Sequence, residues 1–451
     1  MTWSPPETTL QLAECRQKSP RQGRSLIRAL SLAYGFLFGS LLLQATAFAQ
    51  DMHPAHPEDG RQVVYLSFDE ALKRGGESGP DVVYAMAPRA STKEALRYSN
   101  PLFTQVPVVQ AQVGPRFSQT NTSPELVVSL SQPVPLSNTG RAQERLARAE
   151  LSLVEKDVEL AALDSAERAG QAWIGLAHAE GLLKLRHDAQ EQAQNHLRIV
   201  ESRAELGAID QSDLALAQGE VASARALVLD AEGQHFLASS ELSYLTGLSK
   251  TQRADVKTHL SDVPNLESAR NSSPQAVHPA LASAEARANA SKQGIDYAKS
   301  QQAPTMSFGL QYQREGTGDQ IVTGIFTIPL ALWKPWRFQE AQARIKYDQD
   351  RAQAKRVVLE LNREIERALH EREHATAQYE LLKSSAIPPR EQSLRIALAK
   401  FEAGEVDFLQ VSWAKRELLS AQERLVTALS ELHRAHLHLL SCTGALRKKS
   451  S

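Results

Sequence analysis

The sequence predicts a mainly α-helical fold with a small β part, built from two copies of one unit: helix, two strands, very long helix, second long helix. Three observations carry this. Ala, Leu, Glu, Gln and Arg crowd the middle of each half, a bias toward long helices and coiled coils. Proline is absent from Arg141 to Leu206, and glycine from Ile325 to Ala403. Four short segments between the helical stretches carry strand patterning.

The chain begins with an export signal. Arg16, Lys18, Arg21, Arg24 and Arg28 form a basic region, and an apolar run starts at Ala29. Small residues at Ala47–Ala49 place cleavage before Gln50, so residues 1–49 read as a signal peptide and 50–65 as a flexible arm. After cleavage Cys442 is the one cysteine, so stability comes from packing and assembly rather than from a disulfide. The 51 basic residues nearly cancel the 52 acidic ones, which argues against a nucleic-acid partner.

The duplication shows in the letters. Pro133 aligns with Pro329, Arg141 with Arg337, and Gln143-Glu144 with Gln339-Glu340. Further on, Gly207 aligns with Gly404, Asp210 with Asp407, and Thr246-Gly247 with Thr443-Gly444. The first repeat reads as residues 66–248 and the second as 275–446, with a polar linker over 249–274 and a tail over 447–451. Gly75-Gly76, Gly79-Pro80 and Pro88 are expected to interrupt the first helix.

The expected strands are 102–113 and 125–134 in the first repeat, and 305–313 and 320–332 in the second. The third alternates Met306, Phe308, Leu310 and Tyr312 with Ser307, Gly309, Gln311 and Gln313. Each is close to the ~9–11 residues with which a tilted strand crosses a bilayer. Four strands cannot close a membrane barrel, so a barrel reading demands oligomerisation. The expected helices are 141–206, 210–247, 337–402 and 407–444. The longest would reach roughly 100 Å at ~1.5 Å per residue, a length suited to a coiled coil or a tunnel wall. Val411, Ala414, Leu418, Ala421, Leu425 and Ala428 keep a 3-4 spacing, and Leu214, Ala217, Val221, Ala224 and Val228 repeat it in phase.

Duplicated strand pairs between very long helices, behind an export signal, resemble the TolC-type outer-membrane efflux proteins. The most specific stretch runs from "IPPREQSLRIALAKFEAGEVDF" at Ile387 to "SCTGAL" at Ser441. "NPLFTQ" at Asn100 and "SLSQPVPL" at Ser129 are more like the cobalt–zinc–cadmium branch than the drug branch. The resemblance implies a homotrimer in outer-membrane lipid, with a twelve-stranded β-barrel on a long periplasmic α-helical tunnel. It also implies a periplasmic adaptor and an inner-membrane pump, of the RND type or another, as partners.

Functional candidates cluster at the two helix–helix turns. Gly207 and Gly404 suit helix C-caps, Asp210 and Asp407 suit N-caps, and Asp213 and Gln410 follow three residues later. By resemblance these turns meet the adaptor at the periplasmic tip. Rings of Asp210, Asp213 and Asp407 would form a cation-favouring pore constriction. Tyr312, Trp333 and Trp336 are candidates for the membrane interface. His433 and His436 are weak metal candidates, set against the ordinary role of His near a helix C-terminus; His53 and His56, in the flexible arm, could also capture a metal weakly. The chain has no P-loop, no Ser-centred nucleophile motif and no Cys pair. The reading is therefore a non-enzymatic conduit without a cofactor, carrying heavy-metal cations or drugs. The alternatives are a periplasmic coiled-coil adaptor or scaffold, which the duplicated strand pairs oppose, and a type I secretion exit duct.

Overall fold

The structure, a computed structural model, describes residues 60–99, 105–117, 122–206, 210–256, 260, 278–329 and 337–448. The expected signal peptide, His53, His56, Gly207, Trp333 and Trp336 lie outside these residues. The chain is mainly helical with a small sheet part.

Strand β1 (Gln62–Leu66) leads into helices α1 (Phe68–Ser78), α2 (Pro80–Met86) and α3 (Pro88–Arg97). A capping box starts α1: the Glu70 amide donates to Ser67 Oγ at 3.3 Å and the Ser67 amide donates to Glu70 Oε2 at 2.8 Å. Gly75 and Gly76, expected to break this helix, lie inside it. A Cβ on Gly75 would meet Ala169 Cβ at 2.4 Å, so glycine serves close approach here rather than interruption. The breaks fall at Gly79-Pro80 and at Pro88, where proline takes an early position in the next helix.

Strands β2 (Val108–Phe117) and β3 (Thr122–Pro135) are followed by α4 (Thr139–Glu205), 67 residues long, and α5 (Gln211–Leu245). β2 lies C-terminal of the expected 102–113 because its pairing with β3 carries the ladder out to Phe117 opposite Thr122. The segment read as a linker holds β4 (Gln252–Val256), which pairs in parallel with β1 and buries Ala254 and Val256. The second repeat gives α6 (Pro279–Ser300), β5 (Thr305–Arg314), β6 (Gln320–Thr327), α7 (Arg337–Leu381), α8 (Ile387–Glu402) and α9 (Phe408–Cys442). A π turn at Leu382–Ala386 joins α7 to α8. Pro388 and Pro389 lack the amides a regular helix would use there, and the wider turn absorbs the defect.

Two cores position the rest. One gathers Leu66, Phe68, Leu163, Trp173, Ile174, Leu242 and Leu437. Trp173 Nε1 donates to Leu66 O at 2.9 Å, and Phe68 meets the indole edge-on at 5.4 Å between centroids. The other joins Val200, Ala217, Phe401, Phe408 and Val411 at the turns. Between them the 3-4 seam of α9 buries Ala414, Ala421 and Ala428.

The larger sheet is antiparallel in the order β2-β3-β5-β6. Register sets Val109, Leu130, Leu310 and Gly324 in one row across it, with Val113, Leu126 and Arg314 in another. Alternation then gives two unlike faces. One carries Val109, Val113, Leu130, Phe308, Leu310, Val322 and Phe326, all exposed. The opposite face carries Gln110, Gln112, Ser129, Ser131, Gln311 and Gln313, with Val108, Val127, Ile321 and Ile325 among its apolar exceptions. Among the described residues no helix is long and apolar enough to cross a membrane.

Candidate functional site

The two helix–helix turns come together. Asp407 caps α9, its Oδ1 accepting from the Gln410 amide at 3.3 Å. Asp210 caps α5, its Oδ1 accepting from the Gln211 amide at 2.6 Å. Gly404 sits at φ +74, the left-handed conformation that closes α8. Its amide donates to Phe401 O at 3.0 Å and the Glu405 amide to Lys400 O at 2.9 Å, the paired bonds of a Schellman end.

Asp210, Asp213 and Asp407 line one cleft of about 580 Å³ with Glu402, Glu405 and Arg203. Burial, then the charges of Asp407 and Asp210, push the Asp213 carboxyl up from its ordinary value. Arg203, the cation of this cleft, is engaged elsewhere. Its Nη1 donates to Phe401 O at 2.9 Å and its guanidinium lies 4.6 Å from the Phe401 ring centroid. With five carboxyl groups set against this one guanidinium, the cleft is lined mainly by acidic side chains. The sequence signal for Arg203 and Glu402 is their position in the last turns of α4 and α8, and for Glu405 its place in the turn that follows α8.

The other candidates separate from this site. Tyr312 stands on β5 opposite Val322, on the apolar face. In His433, burial first and then neighbouring His436 push the imidazole down to about 4, so it is neutral. One turn on, His438 is a clamp: Nδ1 meets Glu167 Oε1 of α4 at 2.8 Å and Nε2 meets Glu364 Oε1 of α7 at 3.3 Å. Hydrogen bonding to Cys442 first, and to Glu167 next, pushes its pKa up to about 11.

Helix α7 also carries His370-Glu371-Arg372-Glu373-His374, an H-E-x-x-H spelling. The letters alone would have found it.

Residues 272–445 match the family model "Outer membrane efflux protein". The second repeat thus resembles the outer-membrane efflux family. The cobalt-zinc-cadmium resistance protein CzcC of Cupriavidus metallidurans is 24% identical over 422 residues, 91% of this chain and 97% of that one. Three solved channel structures share the fold. CusC gives a TM-score of 0.68 at 16% identity, over 83% of this chain and 91% of that one. CmeC of Campylobacter jejuni gives 0.67 at 15%, over 85% and 89%. VceC of Vibrio cholerae gives 0.64 at 19%, over 84% and 96%.

Proposed function

We propose that three copies of this chain form one duct: a twelve-stranded barrel in the outer membrane, continuous with a helical tunnel in the periplasm. The single observation that carries this is the four-stranded sheet with one exposed apolar face. A soluble protein rarely shows so much contiguous apolar surface, whereas a lipid-facing strand requires it. A barrel cannot leave strand edges open in lipid, and β2 and β6 have no second neighbour among the described residues. The duct acts with a periplasmic adaptor and an inner-membrane pump, of the RND type or another, that supplies the energy. The likeness to CzcC along 91% of the chain favours heavy-metal cations as cargo over drugs.

The paired turns, with Gly207, Asp210, Asp213, Gly404, Asp407 and Gln410, form the periplasmic tip in this reading. The acidic cleft supports a constriction that prefers cations, repeated three times around the axis. By their place in the chain, Tyr312 beside the β5–β6 hairpin and Trp333 and Trp336 just before α7 belong to opposite membrane interfaces in this reading. Crosslinking of the purified protein in mild detergent should yield three chains, and the protein should fractionate with the outer membrane. A stable monomer, or a soluble periplasmic protein, would overturn the assembly.

A further inference from the structure

Helix α7 places His370 and His374 one turn apart, and residues four apart share a helix face. Both line a cleft of about 420 Å³ between α7 and α9, together with Glu371, Glu431, Arg434 and His438. Several of these groups are already committed. The Glu371 carboxylate accepts from Arg367 Nε at 2.7 Å. His438 is held between Glu167 and Glu364. His370, His374 and Glu431 remain, and none of the three has a hydrogen-bond or ion-pair partner among the described residues. All three are exposed.

We propose that His370, His374 and Glu431 bind a divalent transition-metal ion of the zinc class in the α7–α9 cleft. Two imidazoles at this spacing chelate such an ion, and a carboxylate from a facing helix completes a common three-ligand set with room for water. Among the described residues no three donors already surround one point. The same geometry separates binding from hydrolysis. In H-E-x-x-H metalloproteases the glutamate acts as the general base. Here Arg367 Nε holds the Glu371 carboxylate in an ion pair at 2.7 Å, so that carboxylate is already committed to a neighbour on its own helix. The site binds an ion and does no chemistry on it. The inference goes beyond the conduit reading and stands on residues of the α7–α9 cleft, not on those of the acidic turns.

The test titrates zinc into the purified full chain in detergent near neutral pH, in competition with a chromophoric chelator. His53 and His56 are replaced by Ala throughout so that the N-terminal arm contributes nothing. One ion per chain is expected. His370→Ala and His374→Ala should each weaken binding by at least about 10–100-fold, the loss seen even for outer partners of a metal site. Glu431→Gln should weaken it too, and Glu371→Gln should leave it unchanged. Because these side chains are exposed, the variants should assemble as the parent does, which the crosslinking pattern checks. Absence of binding by the parent, or full stoichiometry and affinity in the His370→Ala/His374→Ala double variant, would overturn the site. Either result leaves the crosslinking and fractionation tests of the conduit untouched, so the two readings fail separately.

Discussion

Arg186 joins three helices between the two cores, and its replacement by Met should loosen α9 more than α5. The guanidinium is 12% exposed. Its Nε donates to Glu423 Oε1 of α9 at 3.1 Å, and its Nη1 donates to Asp230 Oδ2 at 2.9 Å and to Leu227 O at 3.1 Å, both on α5. The two acidic partners differ. Glu423 is 31% exposed, whereas Asp230 is 57% exposed and also accepts from Gln234 Nε2 at 3.0 Å. A charge-assisted hydrogen bond in a partly buried place contributes about 1.5–3 kcal/mol. An exposed pair contributes about 0–1 kcal/mol, and a bond to a backbone carbonyl about 1 kcal/mol. Met keeps the apolar stem in place, so the whole loss should be about 2.5–5 kcal/mol. Hydrogen exchange by mass spectrometry measures it locally, as opening free energies of the α5 and α9 amides. A double-mutant cycle with Glu423→Gln should give a coupling of about 1.5–3 kcal/mol, and one with Asp230→Asn less than about 1 kcal/mol. Equal couplings, or protection lost in α5 alone, would refute the reasoning from burial.

Three further outcomes are expected. Asp407→Asn keeps an N-cap of similar strength while removing charge, so it should lower cation preference in planar bilayers; unchanged selectivity would leave Asp407 as a cap alone. Leu310→Arg on the apolar face should cost on the order of 2–4 kcal/mol at mid-bilayer and deplete the protein from the outer membrane, whereas Gln311→Arg on the opposite face should be tolerated. His433, with a folded pKa of about 4 against an ordinary 6.5, binds its proton more readily when unfolded, so its contribution is present above pH 6.5 and is lost as pH falls toward 4. His438 runs the other way, its contribution full below 6.5 and lost as pH rises through about 11. An acid-induced loss of protection in α9 should therefore be reduced by His433→Leu and not by changes at His438.

Periodicity made the long helices legible, because a 3-4 seam and the absence of Pro or Gly are local signals. The caps were legible for the same reason: Asp210 and Asp407 act through their own first turns. What escaped depended on distant partners. Gly75 reads as a breaker until Ala169, on another helix, explains it. Residues Gln252–Val256 read as part of a polar joint until β1 pairs with them. The acidic cleft needs two turns from separate repeats, and no spacing in the chain says that they meet. The histidines of α7 were different, since their motif is contiguous; only Glu431 across the cleft required the fold.

The connectivity also restricts how copies can meet. All four large-sheet strands alternate in direction, and each hairpin is entered from a helix and left toward a helix. The helical connections therefore leave from one end of the sheet and the two hairpin turns lie at the other. The open edges are unlike, β2 on one side and β6 on the other. Antiparallel pairing of β2 with a second β2 would invert one copy and send its helices to the opposite side of the membrane. Pairing β6 with β2 of the next copy keeps the strands antiparallel and all the helices on one side. That contact is heterologous, and a heterologous contact either closes as a ring or grows without end. In a bilayer only the ring removes every open edge. The same rule acts on the helices, where α5 exposes Leu227, Leu229 and Leu237 and α7 exposes Val358, Leu359 and Leu369. With at least about eight strands needed for a bacterial barrel, two copies reach the minimum and three give the twelve of the proposed duct. Crosslinks placed between β2 and β6 should therefore join different chains, and crosslinks between two copies of β2 should not form.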